Sequence, residues 1–376
     1  MHILVTSPIP SHPQNHGNRA RVFRLLTALK ELGHTIHFVH ATLEGLTAAQ
    51  ENAMRAAWDH VYLIEAKGKR RPPRWRHHGL DEWYVDELCA LTARIIDRWQ
   101  IGACLANYVW FSKWLTGVPA GIPTFIDTHD LFGNRHKRLR DGGMEPSWYS
   151  TSPALEGKGL DRAGTVLAIQ DVEAAELARR TKARVEILGH IESPRFLPLE
   201  APADPKRLKI GFMASDNYVN QHTLAELNRV LARHPGLASA HDFCLAGAIG
   251  QTPPGEASGF RRLGFIADPT DFYREMDLIL NPNIGGTGLK IKSVEALAFG
   301  KPLLATEDAM TGLGPVHPGH RLADMEAYGA ALARLVDNPD DIMALGVAGR
   351  QLFETYEGRQ WETLIRLFGD ARERAA

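Results

Sequence analysis

Between Met276 and Thr306 the chain reads strand, glycine turn, helix, strand. A short apolar run, Met276-Asp277-Leu278-Ile279-Leu280, gives way at Asn281 to a loop holding Pro282 and glycines 285, 286 and 288. From Leu289, apolar residues recur at Ile291, Val294, Leu297 and Ala298, the spacing of one helix face. Gly300 falls where a helix stops, and Lys301-Pro302 leads into Leu303-Leu304-Ala305-Thr306, a buried strand. Two strands joined through a helix lie parallel in one sheet, with the helix covering a face, so the unit calls for further strands beside it.

The rest of the sequence supplies them. A strand over 2–6 is followed by a polar, glycine-containing loop over 7–18. A helix over 19–32 then presents Val22, Leu25, Leu26 and Leu29 on one face, Gly33 ends it, and a strand over 36–39 follows. Strands over 123–126, 165–169 and 185–188 and a helix over 171–180 continue the alternation. Residues 189–205 hold four prolines without periodicity and read as a linker. A second series starts with a strand over 209–213, a loop over 214–220, a helix over 222–234 and a strand over 242–246 ending at Gly247. The last helix, 357–374, carries Trp361, Leu364, Ile365 and Phe368 at packing spacing and is expected to return to the first domain. The expected fold is α/β, two doubly wound, Rossmann-like domains facing a cleft. The first covers 1–190, joined by the helix at 357–376, and the second covers 191–356.

Composition narrows the function. The 376 residues are enough for two cores. A net charge of −1 gives no global attraction to nucleic acid. Cys89, Cys104 and Cys244 lie far apart without CxxC spacing, which suits a reduced, cytoplasmic protein without a structural zinc. No run reaches the roughly 18 apolar residues that span a bilayer.

The turn at 281–288 has a chemical reading. Glycines ahead of a helix let amide N–H groups approach an anion, and the helix start adds about half a positive charge. Lys290 and Lys292 follow at once. Gly288, Lys292, Glu295 and Phe299, three or four apart, share a helical stripe. A phosphate at Gly288 with Glu295 one turn deeper, accepting from a ribose, describes the needs of a nucleotide sugar. A glycine-rich turn that binds nothing is the alternative.

Taken together, these residues resemble the GT-B glycosyltransferases, and most closely family 4 of that group. The resemblance covers nearly the whole chain. It rests on the opening strand, loop and helix ending at Gly33-His34, on Ala168-Ile169-Gln170-Asp171-Val172-Glu173, on Arg262-Leu263-Gly264-Phe265-Ile266, and most specifically on 281–306. It implies a retaining, metal-independent transfer of a hexose from a nucleotide-diphosphate sugar to a glycan, lipid-linked or small-molecule acceptor, with no cofactor. One departure stands out. The family usually has two glutamates eight residues apart; Glu295 fits the second, but Thr287 stands where the first would face the hexose. Backbone amides over 286–288 are expected to take part of that role.

The candidate site follows. Donor-binding residues are Gly17, Asn18, Ser215, Asn217, Gly247, Phe265, Gly286, Thr287, Gly288, Leu289, Lys290, Lys292 and Glu295. Arg19, Arg21 and His129 face the acceptor, with the two arginines pairing acceptor or phosphate groups. His129 and Asp130 follow a strand, hence lie at its carboxyl end, and join Glu295 as candidate catalytic residues. A neutral imidazole there orients a hydroxyl, with Asp130 or Asp127 fixing its tautomer. A capping aspartate beside a satisfied histidine is the plainer reading, and a metal held by Asp127, His129 and Asp130 is a weak third. Lys67, Lys69, Arg70, Arg71, Arg74 and Arg76, with Trp75 among them, form a basic run over 67–76 that suits an anionic membrane face, or else a solvated loop. Two competitors remain: an epimerase or phosphorylase of the same fold, and a non-catalytic nucleotide-binding subunit.

Overall fold

The structure is a computed structural model and describes residues 1–369 except 67, 69, 72–76, 144, 252–258, 286–287 and 316. It divides into two compact units, Met1–Ile191 with Gln360–Ala376, and Glu192–Arg359.

The first unit holds a parallel sheet of seven strands: β1 His2–Ser7, β2 Thr35–Ala41, β3 His60–Ile64, β4 Ile101–Asn107, β5 Thr124–Asp127, β6 Thr165–Ala168 and β7 Arg184–Ile187. Their order is β3-β2-β1-β4-β5-β6-β7. β3 and β4 are strands that the sequence reading passed over. The chain winds outward one way from β1 to β3, then returns to β4 and winds the other way. The carboxyl ends of β1 and β4 therefore flank a topological switch point, where open α/β sheets bind ligands. Val22, Leu25, Leu26 and Leu29 of the first helix, Gly17–Glu31, pack with Ile3, Val5 and Phe38 in one core layer. Leu364 and Phe368 join that layer, with the Phe368 ring 4.5 Å from Phe125 and its carbonyl 2.9 Å from His34 Nε2.

The second unit holds a parallel sheet of five strands: β8 Lys209–Met213, β9 Asp242–Ala246, β10 Arg261–Gly264, β11 Leu278–Asn281 and β12 Leu303–Ala305. The order β10-β9-β8-β11-β12 repeats the same logic, with a switch point between β8 and β11. Its core gathers Ile210, Phe212, Leu227, Leu245, Leu280 and Tyr328.

The first helix and the one from Asp171 differ from expectation by one or two residues at one or both ends, and three further helices differ more tellingly. The helix after β8 is Tyr218–Arg233, starting earlier than the apolar spacing indicated, because Asn217 caps it by accepting from Asn220 N at 3.0 Å. The helix after β11 is Ile291–Ala298, with Lys290 as its cap, so Gly288 precedes the helix instead of opening it. The final helix is a single element, Pro339–Phe368. Glycines 346 and 349 do not break it, since a Cβ at either would press on Leu199 or Leu297; they are sites of close packing.

Candidate active site

In the second unit, the loop leaving β11 is framed by side chains that hold its polar backbone. Asn281 Nδ2 donates to Ser293 Oγ at 2.6 Å, and Ser293 Oγ donates to Ala309 O at 2.7 Å. Asn283 Nδ2 donates to Gly285 O at 2.8 Å and to Asp308 Oδ2 at 2.9 Å, while Thr306 Oγ1 donates to Asn283 O. Gly285 and Gly288 have φ of +76°, a left-handed conformation that side chains disfavour. These two left-handed glycines precede a helix start that has no acidic residue in its first turn.

Two lysines stand at this bend. Lys290 Nζ lies 3.3 Å from Gly288 O and 3.8 Å from Asp308 Oδ1. Lys292 Nζ donates to Asn220 Oδ1 at 2.7 Å and sits 5.2 Å from the Phe212 ring centroid. Burial, and then the neighbouring Lys290 charge, bring the Lys292 ammonium down to about 7. Asn220 in turn donates to Ser215 O at 2.8 Å, so the loop after β8 and the helix after β11 meet at Lys292. Leu289 is buried beside the bend. Glu295, half-buried one turn along, is hydrogen-bonded to the Tyr273 phenol, whose ring stacks on Phe299 at 4.3 Å.

Gly247 ends β9 with φ +85°, donates to Gly264 O at 2.8 Å, and has Ala214 O only 2.3 Å from where a Cβ would be. Phe265, after β10, is 64% exposed. Ser215 and Asn217 shape the loop after β8: Asn217 Nδ2 donates to Ser215 Oγ at 3.1 Å. Gly286 and Thr287 lie outside the described residues.

In the first unit, Gly17 is the first residue of its helix, and His16 offers that helix start no side-chain cap. Asn18 Oδ1 accepts from Arg19 N at 2.9 Å, and the Asn18 side chain is hydrogen-bonded to the Tyr108 phenol. Arg19 reaches Glu44 at 3.4 Å. Arg21 corrects the sequence reading. It is buried, its Nε donates to Asp127 Oδ2 at 2.8 Å, and its other nitrogens donate to Leu188 O and Gly189 O at 2.8 and 2.9 Å. A guanidinium so occupied is an internal tie, not a ligand for phosphate. Its position one turn before Leu25 sets it on the inward face of the helix.

His129 is buried at the carboxyl end of β5 with φ +60°. Its Nε2 lies 2.8 Å from Asn107 Oδ1 and 3.2 Å from Asp127 Oδ2. Tyr108, φ +71°, stacks on it at 4.2 Å. Desolvation, opposed by Asp127, lowers the imidazole to about 4, so the ring is neutral at physiological pH. Of the two aspartates expected to orient the ring, Asp127 is the one within reach of Nε2; Asp130 is engaged by other groups. It accepts from Arg135 Nε at 2.7 Å and from Leu131 N at 2.7 Å. Asp127 likewise faces Arg21, so the two carboxylates of the weak metal reading are each neutralised by an arginine. Of the basic run, 67, 69 and 72–76 lie outside the described residues; Arg70 stacks over Trp148 at 4.3 Å and reaches Glu44 at 3.4 Å.

Asn107, Tyr108, Tyr273 and Asp308 were not anticipated. The first two close β4, whose run Ile101-Gly102-Ala103-Cys104-Leu105-Ala106 was a readable strand. Tyr273 and Asp308 lie far from the turn in sequence and carried no local signal.

The architecture has solved counterparts. Sucrose-phosphate synthase from Thermosynechococcus elongatus superposes with a TM-score of 0.71 at 15% identity, covering 98% of this chain and 98% of that one. Anabaena HepE, in a complex with UDP and glucose, gives 0.63 at 15% identity over 97% and 99%. TarM from S. aureus gives 0.66 at 9% identity over 98% and 99%. The chain has the GT-B fold. Residues 208–338 of this GT-B chain match the family described as Glycosyl transferases group 1. That span runs from the start of β8 past β12, and so contains the bend, both lysines and Glu295. The matched span lies wholly within the second unit. No curated protein matches the chain by sequence. Among the described residues, no helix is long and apolar enough to cross a membrane.

Proposed function

We propose that this GT-B chain transfers a sugar from a nucleoside diphosphate sugar to an acceptor hydroxyl, as a retaining, metal-independent enzyme of family 4 type working in the cytoplasm. The observation that carries the reading is the bend at Gly288 with Lys290, Lys292 and Glu295 around a helix start, inside the matched span. A diphosphate seated at the bend receives the helix-start amides and two cations. These stabilise charge on the departing nucleoside diphosphate, the role a divalent ion would otherwise fill. Glu295, one turn on, accepts from the ribose hydroxyls. HepE, solved with UDP and with UDP-glucose, makes the uridine nucleotides the first donors to test. His129 in the first unit meets a sugar hydroxyl. The acceptor is a glycan, a lipid-linked sugar or a small molecule, and Arg70 with the basic segment favours an anionic surface nearby.

The test is a thermal-shift series of nucleoside diphosphates and their sugars, followed by turnover in the presence of EDTA. Binding of the folded state raises its melting temperature with affinity. Release of nucleoside diphosphate in step with a new glycoside, undiminished by EDTA, is the expected result. A chain that no nucleotide sugar stabilises, or one that epimerises the donor without releasing nucleotide, would end the reading.

A further inference from the structure

Asn107 ends β4 and Asp127 ends β5, and the two are register partners in adjacent strands. Both direct a side-chain oxygen at one atom, His129 Nε2, at 2.8 and 3.2 Å. The amide of Asn107 has a fixed orientation. Its Nδ2 donates to Thr6 O at 3.0 Å, across the switch point on β1, so Oδ1 is the atom turned to the ring. Both oxygens of Asp127 accept from the Arg21 guanidinium, so the group faces the ring as an acceptor. Two acceptors converging on Nε2 require that Nε2 carry the hydrogen.

The ring is also fixed in place. Tyr108 stacks on it at 4.2 Å with 13° between the planes, and Tyr108 is hydrogen-bonded to Asn18. A flipped ring would set carbon against both acceptors. Tyr108 and His129 each hold a positive φ that non-glycine residues avoid, a strain of order 1 kcal/mol or more apiece that surrounding structure must enforce. The neutral ring therefore keeps its lone pair on Nδ1. That atom makes no hydrogen bond among the described residues.

We propose that Asn107 is a positioning residue which, together with Asp127, commits His129 to the Nε2–H tautomer, so that Nδ1 accepts a hydrogen bond from a substrate hydroxyl. The tautomer follows from this unit alone; the hydroxyl rests on the glycosyl-transfer reading above. In that role His129 orients an O–H and donates no proton. It has no acid form to use near neutrality.

Long-range proton–nitrogen correlation NMR on the full chain labelled with ¹⁵N-histidine tests this, with His129 identified by its loss in His129→Gln. The expected pattern is a protonated Nε2 and a bare Nδ1, unchanged between about pH 5.5 and 8 given a folded value near 4. A protonated Nδ1, or an imidazolium at pH 7, overturns the proposal without touching the glycosyl-transfer reading. Asn107→Asp, close in shape, adds a carboxylate at Nε2 and should bring the imidazole's titration into the measured range; an unmoved His129 signal would remove Asn107 from the role. Calorimetry with UDP and UDP-glucose then locates the hydroxyl. A loss in His129→Gln confined to UDP-glucose places it on the donor sugar. Equal affinities with at least tenfold lower turnover place it on the acceptor. Wild-type affinities and turnover reject the Nδ1 contact. The bare Nδ1 seen in a protein that binds no nucleotide sugar would instead count against the glycosyl-transfer reading.

Discussion

Lys292 places its Nζ 2.7 Å from Oδ1 of Asn220, tying the helix after β11 to the first turn of the helix after β8. The partner is a neutral amide, no carboxylate contacts the buried ammonium among the described residues, and its proton is held loosely, at about 7 against the usual 10.5.

A diphosphate arriving at that bend should therefore recruit a proton. Calorimetric titration with UDP at pH 8, in two buffers of different ionisation enthalpy, is expected to show fractional proton uptake that vanishes in Lys292→Met. The same shift sets a stability slope. The folded value lies below the unfolded one, so between about pH 7 and 10.5 the unfolded chain binds more protons and stability rises with pH. Lys292→Met should flatten that rise while weakening UDP binding at least tenfold. Proton uptake equal to wild type in the variant would assign it to another group.

Glu295 is the predicted ribose partner. Glu295→Ala should weaken UDP by about 2 kcal/mol, the scale of a charged hydrogen bond lost. Tyr273→Phe, which removes only the phenol facing that carboxylate, should cost far less. Unchanged affinity in Glu295→Ala, read by calorimetry, would take the ribose away from this residue.

Four buried histidines predict acid sensitivity. His37, His40, His129 and His320 are each held neutral, at about 4, chiefly by desolvation. Their folded values lie below the ordinary 6.5. Stability is therefore complete above about pH 6.5 and falls as pH drops toward 4, where the unfolded chain takes up protons that the folded chain refuses. Denaturant midpoints measured from pH 7.5 to 4.5 should decline monotonically. A flat profile would mean that these rings charge without unfolding.

Arg21→Met strands Asp127 as an uncompensated buried charge and should destabilise the first unit by roughly 3–5 kcal/mol. Replacing both residues, Arg21→Met with Asp127→Leu, should recover part of that loss. Urea melts of the two single variants and the double variant check this, and simple additivity would show that the pair is not coupled.

Much of this was legible beforehand. The alternation of strand and helix gave the doubly wound class, and β8 and β9 were placed residue for residue, because apolar runs between polar loops leave little choice. The bend before Ile291 was legible from its glycines and lysines. Arg21 was misjudged because charge was weighed ahead of its place on the inward face. Asn107 and Tyr108 were missed because β4 went unread, and an asparagine at a strand end has no local signature. Its meaning comes from Thr6 and His129, which only the sheet order brings beside it.

The bond from Asn107 to Thr6 O gives the imidazole a second use. Since it spans β1 and β4, any breathing of the sheet at its centre releases the amide, and the histidine's preference between nitrogens weakens to what Asp127 alone holds. The ring is thus an internal gauge: averaging of its two nitrogen signals on warming should precede global melting and report the first parting of the strands.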